Sequence, residues 1–221
     1  MFRRLRKIFE PDDEQRAAEF WRWFAANEHV YRGLQTQDAA EQAHSLDIFG
    51  KHLGRYDDAL YYLFGPTPEA PEGRQSLIIT ASGEAAHFAA ADYLVAQAPA
   101  LPGWEPTALK PPTPELTEVA LGGHTYALAD LHFAQVRVPD EPAALMLHVF
   151  FPAFDDDDAE QLRQRRVVTQ LFLEGLLGER GAATEVDYVQ VVPLGDRVPS
   201  TALRALRPLS DLPGLVRQRA R

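Results

Sequence analysis

The sequence predicts an α+β fold with a mixed, mostly antiparallel sheet of about six or seven strands and helices packed mainly on one face. Two amphipathic helical segments open the chain, and residues 76–112 follow the order strand, glycine turn, helix, proline-marked loop, strand. The second half contains short alternating segments joined by short turns, and such irregular mixing of helices and hairpins is typical of α+β proteins. We assign residues 12–200 to one domain, flanked by a basic arm (1–11) and a basic tail (201–221).

The first helix is predicted over residues 12–29, because apolar residues recur there at spacings of three and four. The predicted buried stripe consists of Ala17, Phe20, Trp21, Phe24 and Ala25. Trp23 falls away from the centre of this stripe. A second helix is predicted over 36–53, with Gly54 as its stop signal.

Two strands, 56–64 and 75–81, are predicted to pair as a hairpin across a loop rich in proline and glycine. An alanine-rich helix is predicted over 84–97, and prolines end it. A further strand over 104–110 completes a βαβ-like unit.

The second half is predicted to be more antiparallel. Its predicted strands are 124–128, 131–138, 144–151 and 185–193. The strands at 131–138 and 144–151 are close enough in sequence to form a hairpin. A helix is predicted from Asp155–Asp158 to about Leu177, with Gly178 as its end. Its predicted contact residues are Leu162, Val167, Leu171, Phe172 and Leu176. A weak C-terminal helix or a loop is predicted, broken by Pro208 and Pro213.

Composition and charge argue against several classes of partner and site. The 221 residues carry a net charge of −10, and the acids are concentrated between the two basic ends. An acidic body repels phosphates, so we expect no nucleic-acid partner. The absence of cysteine excludes disulfides, thiolate nucleophiles and cysteine zinc sites. With neither a secretory signal pattern nor an apolar run of about 18 residues, the sequence predicts a cytoplasmic protein.

Three segments carry a resemblance: FWRWFAANE at 20–28, the stretch 77–112, and LLGERGAATEVDYVQVVPL at 176–194. Together they resemble an uncharacterised group of bacterial proteins with a strand–glycine–helix–PGWE–strand core. The resemblance covers most of the chain. Because that group has no assigned activity, the resemblance implies no catalytic residue.

Five residues are weak candidates for a metal or acid–base site. Glu41 and His44 have the Glu-x-x-His spacing of carboxylate-bridged metal sites, and His52 follows near the same helix face. His132 and His148 lie on predicted neighbouring strands and could meet as a cross-strand or diagonal pair. A di-iron site needs a second motif and further carboxylates, so a solvated face explains these residues better and no cofactor is predicted.

Two other patterns also have structural explanations. Asp155–Asp158 lacks the alternating ligands and central glycine of a calcium loop, and acids at a helix start are stabilised by the helix dipole. Ser82 lies at a strand–helix turn but lacks the flanking glycines of a nucleophile elbow. We therefore interpret Ser82 as a helix cap.

A partner surface is the remaining candidate. Trp23 is predicted to be a contact residue if it is exposed, and Arg3, Arg4, Arg6 and Lys7 form one side of a short basic, amphipathic arm. The sequence therefore favours a non-catalytic binding or protein-interaction domain with a protein partner. The alternatives are a hydrolase or metal-assisted enzyme that uses a His/carboxylate cluster, and a peripheral membrane or scaffold protein that uses the basic N-terminus.

Overall fold

A computed structural model describes residues 13–65, 74–136, 140–141, 143–195 and 206–219. These residues form five α-helices and nine strands, which confirms the α+β class. The strands form three sheets of three, two and four strands, so the prediction of one sheet with six or seven strands is wrong. The chain divides into two compact units, 1–109 and 110–221. The assignment of residues 12–200 to one domain stays a prediction.

The first unit opens with two long helices, α1 (Asp13–Arg32) and α2 (Ala39–Tyr56). The side chain of Asp38 caps α2 by accepting hydrogen bonds from two backbone N–H groups of the first turn, each at 2.9 Å. The prediction that α2 stops at Gly54 is wrong, because the helix continues through this glycine to Tyr56.

The sheet of the first unit contains β1 (Tyr61–Gly65), β2 (Gln75–Thr80) and β3 (Trp104–Ala108). β1 pairs antiparallel with β2, and β3 pairs parallel with β2 after the crossover helix α3 (Phe88–Ala96). The predicted hairpin and the predicted βαβ unit are therefore both confirmed.

Aromatic side chains form the core between these helices and one face of the sheet. Phe49 of α2 lies 5.5 Å from Phe20 of α1 and 4.4 Å from Tyr62 of β1, measured between ring centroids. The Trp21 indole N–H donates to the Leu94 carbonyl at 2.6 Å and ties α1 to α3. Tyr62 and Phe64 therefore face the helices, while the side chains that alternate with them on β1 point to the opposite face.

The second unit contains a two-stranded and a four-stranded sheet. The hairpin consists of β4 (Glu118–Leu121), which was not predicted from sequence, and β5 (His124–Ala127). The four-stranded sheet has the order β8-β7-β6-β9. Its strands are β6 (His132–Val136), β7 (Met146–Phe151), β8 (Tyr188–Pro193) and β9 (Arg207–Pro208). β6 and β7 form the predicted hairpin, and β8 is parallel to β7.

The long helix α4 (Ala159–Thr184) consists of two helical segments that meet at Gly178, so the predicted end of the first segment at Gly178 is confirmed. Gly178 has φ +73°, which kinks the chain before the helix resumes. Val167 and Leu171, two of the predicted contacts, are 38% and 39% exposed, whereas Phe172 is buried as expected. The final helix α5 (Leu212–Arg219) contains Pro213 in its first turn, where proline is compatible with a helix and does not break it.

Candidate functional site

A cleft of about 130 Å³ lies between α1 and α2 in the first unit. Its lining residues are Arg16, Glu19, Phe20, Trp23, His52 and Arg55. Two residues that the sequence suggested for separate roles, Trp23 as a partner contact and His52 as a weak metal candidate, meet here. We call this site the Trp23–His52 cleft.

The cleft has an aromatic floor. The rings of Trp23 and His52 are stacked face to face, with centroids 3.9 Å apart and an angle of 5° between their planes. The Trp23 ring also packs edge-on against Tyr31 and Phe49, with centroid distances of 5.9 and 5.8 Å. These contacts hold the indole in one orientation, so the floor is preorganised.

Helical spacing places the lining residues on the faces of α1 and α2 that border the cleft. Arg16, Phe20 and Trp23 are four and three residues apart on α1, and His52 and Arg55 are three apart on α2, so each set lies on one helix face. Arg16, Glu19 and Arg55 were not predicted from sequence. Their spacing from Trp23 and His52 could have indicated that they share the same helix faces.

The charges around the cleft differ in how they are paired. Arg16 pairs with Asp13, and Glu19 accepts a hydrogen bond from the Gln15 amide at 3.0 Å. Arg55 is exposed, and no described carboxylate forms an ion pair with it. Arg55 is therefore the cation at this cleft that an incoming anionic group can contact.

The surroundings of His52 disfavour its charged form. Burial of the imidazole lowers its pKa below the ordinary value, and the nearby Arg55 guanidinium lowers that pKa further. The imidazole ring of His52 stacks face to face on the Trp23 indole. His52 here forms part of a packing surface.

The remaining residues of the predicted patch on α2 do not join His52. Glu41 and His44 are exposed on α2, and Asp47 forms an ion pair with Lys51 at 2.6 Å. The described part of the chain contains no group of three His, Cys, Asp or Glu side chains that could hold a metal ion.

His132 and His148 lie on neighbouring strands of the second unit. His132 is opposite Phe150 and His148 is opposite Ala134, so the two histidines are diagonal neighbours on one face of the sheet. This register agrees with one of the two predicted arrangements. The Nδ1 atom of His132 is buried and has no hydrogen-bond partner among the described residues.

Ser82 does not act as the predicted helix cap. No side chain caps the 3₁₀ turn Ala85–His87 that follows, and Ser82 has φ +52° in a tight turn closed by the Glu84 N–H and the Ala81 carbonyl at 3.0 Å. The His87 ring lies 3.1 Å from an Asp57 carboxylate oxygen, as in the acid–histidine part of a catalytic triad. No hydrogen bond joins Ser82 to His87 in the described structure, and the contact with Asp57 ties two loops together.

The acidic run at 155–158 starts a helix, in agreement with the interpretation from sequence. The Asp158 side chain caps α4 by accepting the N–H groups of Glu160 and Gln161 at 2.9 and 3.1 Å. The hydrogen bonds from Gln161 lower the pKa of Asp158 most, and burial opposes them. These contacts account for Asp158 without a calcium ion.

A buried polar cluster in the second unit was also not predicted from sequence. Glu174 is 7% exposed and pairs with the Lys110 ammonium, while Glu179 is fully buried and accepts the Lys110 backbone N–H at 3.0 Å. Gln170 donates to the second Glu174 oxygen at 3.0 Å. The cluster fixes the start of the 110–117 segment on α4.

The candidate residues Arg3, Arg4, Arg6 and Lys7 lie outside the described residues. None of the described helices is long and apolar enough to cross a membrane. Comparison with known proteins gave no match to any family model, to any curated protein or to any solved structure. Function must therefore be inferred from the geometry of this chain.

Proposed function

We propose that this chain is a cytoplasmic, non-catalytic protein-interaction domain that recognises its partner through the Trp23–His52 cleft. The observation that carries the proposal is the fixed Trp23–His52 stack beside the exposed Arg55, which pairs with no described carboxylate. Tryptophan and arginine are enriched among the residues that dominate binding energy at protein interfaces.

The size of the cleft favours a protein partner over a metabolite. Pockets for drug-sized ligands typically enclose about 300–1,000 Å³. The cleft encloses about 130 Å³, which suits one inserted side chain. We propose that this side chain ends in a carboxylate, with its stem on Phe20 and Trp23 and its charge against Arg55.

The two alternatives have less support. The enzyme hypothesis uses His44, His52, His132 and His148, and their described surroundings contain no set of three ligand side chains. The membrane hypothesis depends on the basic arm and stays a prediction. Sedimentation with liposomes of the full chain and of a chain without residues 1–9 tests it, because equal binding by the two would argue against the arm.

Peptide selection tests the cleft directly. Peptides selected from a random display library on the wild-type protein should bind about tenfold more weakly to Arg55→Glu. The substitution removes a hot-spot contact and places a carboxylate against the carboxylate of the peptide. Arg22→Glu is the matched control, because Arg22 is exposed on α1 outside the cleft. Titration calorimetry measures both affinities.

A second variant separates recognition from general charge effects. His52→Ala removes half of the stacked floor and should weaken the same peptides while leaving the circular dichroism spectrum unchanged. Peptides that bind all variants equally, or a library that yields no binder, would contradict the proposed function.

A further inference from the structure

Strand β1 presents apolar side chains to solvent at the edge of its sheet. Tyr61 and Leu63 are 56% and 48% exposed, although they belong to a five-residue run, YYLFG, without charge or proline. The sheet order β1-β2-β3 leaves one side of β1 without a neighbouring strand in the described structure. Beyond its ladder with β2, no backbone group of residues 61–65 takes part in a hydrogen bond with a described residue.

Proline, an ion pair or short length limits pairing at two other described edge strands, β3 and β9. β3 carries Pro106 at its centre and Glu105 in an ion pair with Arg74. β9 has two residues and ends in Pro208, and β8 ends in Pro193. Proteins protect sheet edges with proline, charge and short strands, and β1 has none of these devices apart from its modest length. An unprotected, apolar edge is the pattern of a strand that pairs with another chain.

The residues of β1 are complementary to themselves. When two copies run antiparallel with Leu63 opposite Leu63, Tyr61 of each copy lies opposite Gly65 of the other. An aromatic ring placed across from an edge glycine compensates for its missing side chain. On the other face, Tyr62 lies opposite Phe64, which is a favourable cross-strand aromatic pair. No position in this register brings like charges together.

We propose that the chain self-associates through β1, with two copies pairing antiparallel about a twofold axis at Leu63 to form a continuous six-stranded sheet. This surface is separate from the Trp23–His52 cleft, so the proposal does not depend on the function assigned to that cleft. Five paired residues bury little area, and each copy carries a charge of −10. We therefore expect a weak dimer, with a dissociation constant in the micromolar range or above, that salt strengthens.

The absence of natural cysteine makes a direct test available. In Leu63→Cys, the two introduced thiols would face each other across the twofold axis, at a separation that a disulfide can bridge. Mild oxidation should convert this variant into a covalent dimer. Tyr93→Cys, on an exposed helical site of the same unit, is the matched control and should stay largely monomeric.

Analytical ultracentrifugation completes the test on the full chain, at protein concentrations between about 10 µM and about 1 mM. Wild-type protein should shift from monomer toward dimer, whereas Leu63→Lys should stay monomeric with an unchanged circular dichroism spectrum. Tyr188→Lys, at a similarly exposed tyrosine in the second unit, should behave as wild type. Wild-type protein that stays monomeric at every concentration overturns the proposal. This holds also if the protein pairs with a foreign peptide strand instead of a second copy. So does equal cross-linking of the two cysteine variants.

Discussion

Tyr31 and Tyr56 show how burial controls a single titrating group. Each phenol donates a hydrogen bond to a backbone carbonyl, from Tyr31 to Ser45 at 3.2 Å and from Tyr56 to Ala90 at 2.9 Å. Burial raises the pKa of both hydroxyls to about 12. In the folded protein both phenols therefore stay protonated at pH values at which the tyrosines of the unfolded chain are already ionised.

The sign of the resulting pH dependence follows from these raised pKa values. The stabilisation is fully present below pH 10 and is lost as the pH rises toward 12, because the unfolded chain releases these protons first. Urea denaturation between pH 8 and about 11.5 should show a falling free energy of unfolding. Tyr31→Phe should cost about 1 kcal/mol at neutral pH and flatten the alkaline slope. Tyr61→Phe, at an exposed site, should leave the free energy of unfolding at neutral pH unchanged, and an equal loss there would contradict the explanation.

The candidate cleft was partly predictable at the residue scale. Trp23 lies off the apolar stripe of α1, and this offset correctly marked it as different from the core residues around it. The pairing of Trp23 with His52 could not be predicted, because it depends on how α1 and α2 cross, which local periodicity does not encode. Glu174 and Glu179 were missed for a related reason: a buried carboxylate is recognisable only when its partner, here Lys110, is known.

At the element scale, glycine marked one helix end correctly and another wrongly. Gly54 and Gly178 were both predicted to end helices. The backbone leaves the helical region at Gly178 as predicted, whereas α2 continues through Gly54 to Tyr56. At Gly54 the backbone stays helical. No neighbouring atom lies within 4 Å of the position that a Cβ would occupy. At Gly178 the φ of +73° and close contacts with the 110–112 segment make glycine necessary.

The two glycines should therefore respond oppositely to alanine. In Gly178→Ala the new Cβ would lie 3.0 Å from Pro112 Cδ and 3.2 Å from the Lys110 carbonyl oxygen, so we expect a loss of about 2–4 kcal/mol. Gly54→Ala should gain about 0.5–1 kcal/mol from better helix propensity. Thermal and urea denaturation measure both changes. A neutral Gly178→Ala would show that the kink tolerates a side chain.

Strand pairing was predictable where it is local. The β1–β2 and β6–β7 hairpins and the βαβ unit follow from turn signals and apolar runs within one stretch of sequence. β9 was missed because its two residues become a strand only by pairing with β6, which lies far earlier in the chain. The division of strands into three sheets has the same cause, since side-chain periodicity identifies a strand without identifying its neighbour.

At the scale of the whole molecule, the excess of acid sets the solution behaviour. The chain has 32 acidic and 22 basic residues and a net charge of −10 at neutral pH. Like charges repel more strongly in the compact folded state than in the expanded unfolded chain, so this excess lowers the free energy of unfolding. Added salt screens that repulsion.

Salt should therefore stabilise the protein at neutral pH. Raising NaCl from about 10 mM to about 300 mM shortens the screening length from about 30 Å to below 8 Å. We expect a gain of about 1 kcal/mol, which for a chain of this size raises Tm by about 2–4 °C. The gain should disappear near pH 5.1, where the net charge is close to zero. Differential scanning calorimetry at both pH values measures the effect, and Arg22→Glu should enlarge it at neutral pH because it makes the net charge more negative. A Tm that falls with salt at neutral pH would mean that local ion pairs, such as Arg74–Glu105, outweigh the repulsion between distant carboxylates.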